Sequence, residues 1–289
     1  MAEERWIPSS ELILIDGRVY HLGLRPEMVA DTIIVVGDPE RVPKISKYFD
    51  KIEFQVNSRE LVTHTGTLGG KRLSVMSSGM GTDNVELLLT ELDALVNVDF
   101  ETRTVKPELK SLEIVRIGTS GCLQADIPLD AYLVSSSALG LDTLMHFHEW
   151  DQDAKTSDFV AQMQQELRLP FEPYFAPASA NMLAKYAKGF YQGITITAPG
   201  FYAPQGRAVR LKPRLADMLD KLAAVNTPYG AFTNFEMETA GYYAMAQLLG
   251  HEMLSINALI ANRANQTFSN DHEKTVNNLI RLVLEKMTS

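Results

Sequence analysis

The pattern that most constrains this chain is a repeated succession of short apolar, β-branched runs and longer amphipathic stretches. That alternation marks an α/β domain, in which connecting helices cover strands buried on both faces. Thr32–Gly37 (TIIVVG) is the clearest run and predicts a buried strand. Asp38 and Pro39 follow at once, a capping residue and one whose fixed φ suits a first helical turn, so a helix is expected over Glu40–Tyr48. Leu61–Thr67 and Arg72–Ser77, with Gly69-Gly70 between them, read as a hairpin. Asn84–Val96 sets Leu87, Leu88, Leu92 and Leu95 on one side of a helix. Further strands are expected at Glu113–Gly118, Ala131–Ser137, Gly193–Ala198 and Met253–Ile260. Further helices are expected at Asp158–Leu167, Ala180–Lys188, Pro213–Ala223, Glu238–Leu249 and Asp271–Lys286.

No repeat or low-complexity tract divides the 289 residues, so one domain over 1–289 is expected, with 1–18 as an N-terminal extension. Asp99–Leu112, charge-rich with a proline, and Glu149–Pro177, a polar helix joined to a Pro/Phe-rich stretch, read as surface elaborations. The charge sum is 27 − 36 = −9, which argues against general affinity for nucleic acid or an anionic membrane surface. It leaves room for a small anionic ligand, because a few placed arginines outweigh the global field locally. Cys122 is the single cysteine, so no intramolecular disulfide can form. The acidic start lacks the apolar core of a signal peptide, and no apolar run approaches the roughly 20 residues of a membrane helix. The expected location is cytoplasmic.

Four segments carry candidate chemistry. Gly37-Asp38-Pro39-Glu40-Arg41 follows a strand, so glycine allows close backbone approach while the helix start and Arg41 face an anion. It reads equally as a capped surface helix with a solvated arginine. Arg116-Ile117-Gly118-Thr119-Ser120-Gly121 places an arginine and small hydroxyl residues at the end of an apolar strand, an oxyanion cradle or a tight turn with a solvent-facing arginine. The apolar context favours the cradle, since burying the arginine unpaired would be costly. Phe201-Tyr202-Ala203-Pro204-Gln205-Gly206-Arg207 offers a ring for stacking, an amide that both donates and accepts, and a cation that only donates. Those groups match the donor–acceptor edge of uracil, or make an ordinary surface loop. In Phe235-Glu236-Met237-Glu238-Thr239, Thr233 and Glu236 have capping-box spacing, which leaves Glu238 free to grip sugar hydroxyls.

These pieces, in this order, resemble the nucleoside phosphorylase superfamily, which includes uridine phosphorylases and purine nucleoside phosphorylases. The likeness runs from about Val19 to the C-terminus through VYHLGL, VGDPERV, SRE, RIGTSG, FYAPQGR and FEMET. It implies a mixed, partly barrel-like central β-sheet flanked by α-helices. It also implies reversible phosphorolysis of uridine to uracil and ribose 1-phosphate, in pyrimidine salvage, with inorganic phosphate as co-substrate and no cofactor or metal. Gly37, Arg41, Arg116 and Thr119 would hold phosphate, with Arg59 reaching in from a neighbouring subunit. Glu238 and the Met237 backbone would bind the ribose, and His21 of the neighbour its 5′-hydroxyl, so a homo-oligomer with a shared site is implied. Phe201, Gln205 and Arg207 would hold the base, with Arg116, Arg207 and Glu238 as the catalytic set. FYAPQGR resembles the uracil-binding stretch. Where purine-cleaving members carry a catalytic aspartate, this chain reads Ala261-Asn262-Arg263, which again points to pyrimidines. The monovalent-cation pattern of some bacterial members is half met: Glu60 matches its glutamate, but Asn84 stands where a serine is expected. The resemblance does not choose between dimer and hexamer. The rival readings are a purine nucleoside phosphorylase, a nucleoside hydrolase on the same fold, and a non-catalytic nucleoside-binding protein.

Three features are set aside. Gly79-Met80-Gly81 lacks the third glycine of a dinucleotide fingerprint and reads as part of the ribose or phosphate surroundings. His146 and His148 have no further ligand at zinc spacing. Cys122 reads as a small buried thiol.

Overall fold

The computed structural model describes residues 5–288. The charged start at residues 1–4 lies outside them. β1 (Leu14–Ile15) and β2 (Arg18–Val19) make a short hairpin, and then β3 (Thr32–Val36) enters the core with all five residues buried. The turn at its end begins where Asp38 accepts the Glu40 N–H, and α1 (Arg41–Ser46) follows. β4 (Lys51–Ser58), β5 (Leu61–Leu68) and β6 (Lys71–Ser77) form an antiparallel meander. Its β5–β6 turn is the expected Gly69-Gly70 pair, with φ of 58° and 80°. Both values lie in the left-handed region that a two-residue hairpin turn demands. α2 (Thr82–Asn97) runs into the small β7 (Val98–Asp99)–β8 (Thr104–Val105) hairpin.

Next come β9 (Glu113–Cys122), β10 (Tyr132–Gly140), α3 (Ala154–Leu167), β11 (Tyr174–Pro177), α4 (Ala180–Tyr186) and β12 (Tyr191–Thr197). α5 (Met218–Ala224), β13 (Asn226–Thr227), β14 (Gly230–Glu236), α6 (Thr239–Leu249), β15 (Glu252–Asn262), β16 (Thr267–Phe268) and α7 (His272–Thr288) complete the chain. The main sheet has the order β13-β14-β12-β10-β15-β9-β3-β6-β5-β4, and an added β14–β9 pairing closes β9, β15, β10, β12 and β14 into a mixed barrel. That is the mixed, partly barrel-like sheet expected from the sequence.

Closure explains where local reading falls short. The strand expected at Glu113–Gly118 runs on to Cys122, because Gly121 and Cys122 pair with Phe235 and Asn234 across the seam. RIGTSG is therefore strand and not a turn. Gly121 lies where any Cβ would strike the Phe235 ring, 2.7 Å away, so its glycine serves packing. The capping box expected from Thr233 and Glu236 also gives way: both lie in β14, and Thr233 donates to the Ile194 carbonyl.

The two excursions are tied to the body. Arg103 donates to the carbonyls of Ile7 at 2.9 Å, Pro8 at 3.1 Å and Leu12 at 2.6 Å, so the first described residues and the 99–112 segment form one unit. Residues 149–177 reach further into the fold than a surface elaboration. β11 pairs antiparallel with β10, and Phe159, Val160 and Met163 of α3 join Phe175, Leu219, Phe232 and Phe235 in a second apolar core. The larger core fills the space between the sheet and α2, α6 and α7.

Candidate active site

β3 and β6 run parallel to one another, as do β12 and β14, and the antiparallel β14–β9 seam joins the last residues of β9 to the last residues of β14, so the segments that follow these strands gather around that seam. Gly37 follows β3, and a Cβ there would come 3.3 Å from the Gly79 carbonyl of the loop after β6, so the two loops touch through backbone. Arg41 opens α1, donates to the Ile117 carbonyl at 3.3 Å, and faces Arg116 closely enough for the two cations to repel. Burial, more than that repulsion, lowers the Arg41 pKa.

Arg116 projects from the middle of β9 and is 4% exposed. Its Nη2 is 2.5 Å from Glu238 Oε2 and 3.3 Å from Glu236 Oε2, and its Nη1 donates to Asn257 Oδ1 at 3.2 Å. Gly118 makes this possible, since any Cβ there would overlap the guanidinium. The sequence argument that this arginine could not be buried unpaired is met by two carboxylates. Glu238 also accepts the Gly81 N–H at 2.9 Å, which brings the set-aside glycine loop into the site. Glu236 caps α6 from outside the helix: its carboxylate accepts the N–H groups of Glu238 and Thr239 at 3.0 Å and the Thr197 hydroxyl at 2.8 Å. The capping role foreseen for Glu236 is thus real, but it comes from the preceding strand end, without Thr233. Thr119 is half-buried on β9, and Met237 links β14 to α6.

One cation does not fully hold two buried carboxylates. Burial, with Glu236 adding to it, pushes the Glu238 pKa up to about 7 against the pull of Arg116. The folded value lies above that of the unfolded chain, so this group favours the folded state at low pH, and its contribution is lost as pH rises through about 7. Glu238→Gln removes the titration. Its thermal midpoint relative to the wild type is expected to improve by a few degrees between pH 5 and pH 8. A constant difference across that range would show that Glu238 is ionised throughout.

The base loop follows β12. Gln205 is 2% exposed, and its Oε1 accepts a short hydrogen bond from Arg207 Nη1. The same nitrogen donates to the Phe201 carbonyl at 2.5 Å. The Arg207 guanidinium lies 3.9 Å from the Phe201 ring centroid and 5.4 Å from that of Phe235, which ties the loop to the end of β14. Phe201, Gln205 and Arg207 are therefore one cluster, set against Phe235, the residue that precedes Glu236 in β14. Sequence reasoning missed a second cation: Arg263 reaches beside Gly206 and, after burial, is the main influence lowering the Arg207 pKa. The signal was available, an arginine ending a long apolar strand. Asn262 next to it is fully engaged, donating to the Gln124 and Ile127 carbonyls and accepting the Asn265 N–H.

His21 and Arg59 make no direct contact with Arg116 or Glu238 among the hydrogen bonds and ion pairs of the described residues. His21 Nδ1 is 2.7 Å from Glu91 Oε1, leaving Nε2 as its other polar atom. Arg59 packs over Tyr20, with 5.4 Å to the ring centroid, and Tyr20 meets His21 edge-on. The two residues thus share one exposed patch. Glu60 and Asn84 meet beside Gly79, where a Cβ would come 3.2 Å from Glu60 Cγ and 2.5 Å from Asn84 Nδ2. Cys122 is buried, which raises its thiol pKa and suits packing over nucleophilic attack. Among the described residues, no group of three His, Cys, Asp or Glu side chains is placed to hold a metal.

Residues 31–287 match the family model of the phosphorylase superfamily. The chain belongs to that superfamily. Within it, the chain is 28% identical to the uridine phosphorylase of Thermococcus kodakarensis, over 94% of this chain and 87% of that one. It is 26% identical to a purine nucleoside phosphorylase of Shewanella loihica, over 92% and 96% of the two chains. Among solved structures, the Trypanosoma brucei nucleoside phosphorylase, described as showing uridine phosphorylase activity, superposes with a TM-score of 0.86 at 28% identity, covering 95% of this chain and 98% of that one. The Toxoplasma gondii purine nucleoside phosphorylase, at 17% identity and a TM-score of 0.66, shares the superfamily fold.

Proposed function

We propose that the chain is a uridine phosphorylase, cleaving uridine reversibly with inorganic phosphate to give uracil and ribose 1-phosphate. The observation that carries this reading is the base loop: Gln205 and Arg207, with Arg263 beside them, face a leaving group with donors and positive charge. A pyrimidine departs as an anion and needs such donors. Asn262, where purine-cleaving members place an acid, has its amide spent on backbone carbonyls.

The chemistry follows from electrostatics. As the C1′–N1 bond breaks, positive charge grows on the ribose and negative charge on the base. Phosphate held by Arg41, Arg116, Thr119 and the Gly37 backbone lies against the developing cation and captures C1′. Glu238 and the Met237 backbone hold the ribose hydroxyls, while Gln205 and Arg207 take the charge on the pyrimidine and Phe201 offers its ring. Preorganised donors of this kind contribute about 3 kcal/mol each to lowering a barrier. Capture by phosphate asks for no redox or electrophilic cofactor, so phosphate is the sole co-substrate in this scheme.

His21 and Arg59 complete the site from a second copy of the chain. Their shared patch carries an aromatic ring, a histidine and an exposed guanidinium held on Tyr20, and Met80 stands 74% exposed at the edge of the phosphate loop. A cytoplasmic location in pyrimidine salvage suits the single reduced cysteine, and no described helix is long and apolar enough to cross a membrane.

The test is uridine cleavage with and without inorganic phosphate, following uracil and ribose 1-phosphate. Release that requires phosphate, with inosine inert, is the expected result. Release without phosphate would mean hydrolysis and undo the roles of the arginines.

A further inference from the structure

One buried group at the site has no task in the scheme above. Tyr242 lies on α6 one turn after Glu238, with its N–H bonded to the Glu238 carbonyl at 3.1 Å, and the residue is fully buried. Its phenol oxygen has no hydrogen-bond partner among the described residues. Ser78 is the one side chain near enough to act on the phenol as a hydrogen-bond partner, but the pair falls short of full hydrogen-bond geometry, and the Ser78 hydroxyl itself donates to the Gly79 carbonyl at 3.0 Å. The charges acting on the phenol are those of Arg116, Glu238 and Glu236. A buried hydroxyl without a partner costs free energy, and phenylalanine would fill the same space without that cost. Arg116 shares the condition, since its Nε is also buried and unpartnered.

Two idle donors around one carboxylate describe a site arranged for another state. In the substrate-free protein, Glu238 Oε2 is occupied by Arg116 Nη2 at 2.5 Å. When Arg116 turns its guanidinium toward phosphate, that oxygen loses its donor just as the carboxylate must face the ribose diol. We propose that Tyr242 is a positioning residue: its O–H then donates to Glu238, keeping the carboxylate ionised and aimed at the ribose hydroxyls. Tyr242 touches no reacting atom and acts through Glu238. The role rests on the uridine phosphorylase reading of the site.

The test is Tyr242→Phe, measured beside the wild type with uridine, 2′-deoxyuridine and phosphate each varied. Loss of one hydrogen bond to a charged group corresponds to roughly a tenfold effect. The expected result is about a tenfold fall in kcat/KM for uridine, carried by the KM for nucleoside, with the KM for phosphate within about twofold. The preference for uridine over 2′-deoxyuridine should narrow, because the lost contact serves the sugar hydroxyls. The substrate-free thermal midpoint should hold or rise, since no bond is removed from that state. A uridine kcat/KM within about twofold of wild type would overturn the role. So would an equal loss toward phosphate, or a midpoint lowered by several degrees, which would mean the hydroxyl is already bonded. Wild-type protein that does not cleave uridine would instead remove the reading of the site, and the role of Tyr242 with it.

Discussion

Arg116→Ala is expected to end phosphorolysis and to lower stability by about 3–5 kcal/mol, the usual cost of breaking a buried ion pair by removing one partner. Arg116 is the shared counter-ion of Glu236 and Glu238, all three at most 6% exposed at the side chain. Without it, two carboxylates stay buried side by side, and one or both must take up a proton for the chain to fold. The deficit should therefore shrink as pH falls, because protonation relieves the repulsion. Activity should fall by at least about a thousandfold, since the same guanidinium would hold the phosphate. Arg116→Lys keeps the charge and should recover much of the stability. It lacks the fork needed to serve Glu238, Asn257 and a phosphate together, so most of the activity should remain lost. Urea unfolding at pH 5 and pH 8, with kcat/KM for uridine, checks all of this. A stability loss below about 1 kcal/mol at pH 8 would contradict a shared counter-ion.

Arg207→Ala should show the opposite division, a large catalytic loss with little effect on the fold. Arg207 is half-buried on a loop; it bonds Phe201 and Gln205 of the same loop and touches the second apolar core only through the Phe235 ring. Its removal should cost only about 1 kcal/mol, the low end for leaving a buried acceptor, Gln205 Oε1, without its donor. It should cost roughly a hundredfold to a thousandfold in kcat for uridine, the effect of losing one donor aimed at developing negative charge. Phosphate affinity should be unchanged, because Arg207 sits at the base end and Arg41 and Arg116 at the other. Arg207→Lys should rescue little, since it cannot donate to Phe201, Gln205 and the base at once. Equal losses in phosphate and uracil affinity would show that Arg207 supports the whole site and not the base.

Elements whose determinants lie close together in sequence were legible. TIIVVG gives a strand because its first five residues are all β-branched and four of them apolar, and Gly69-Gly70 is a tight turn because both positions need positive φ. The amphipathic helices sit where their periodicity places them, with ends displaced by a few residues. The exposed β4 carries Ile52, Phe54 and Val56 at strand alternation, a signal present in the sequence but weaker than the continuous apolar runs of the buried strands.

Of the site, the sequence by itself determined which chemical groups were available: Arg41, Arg116, Glu238, Gln205 and Arg207 on short segments between strands and helices. It also determined that Arg116 needed a buried counter-charge, since an apolar strand would not hold a lone cation. Tertiary structure alone decided which groups meet. The β14–β9 seam joins residues more than a hundred positions apart; it turned RIGTSG into strand, set Gly121 under Phe235, and brought Glu236 and Glu238 onto Arg116. Arg263 came beside Arg207 through such pairing, whereas Tyr242 follows Glu238 by one helical turn and owes to the tertiary structure only the presence of Arg116 next to both. The reason is physical: backbone propensity and turn chemistry act over a few residues, whereas the register of a closed barrel is settled by side chains filling one shared interior.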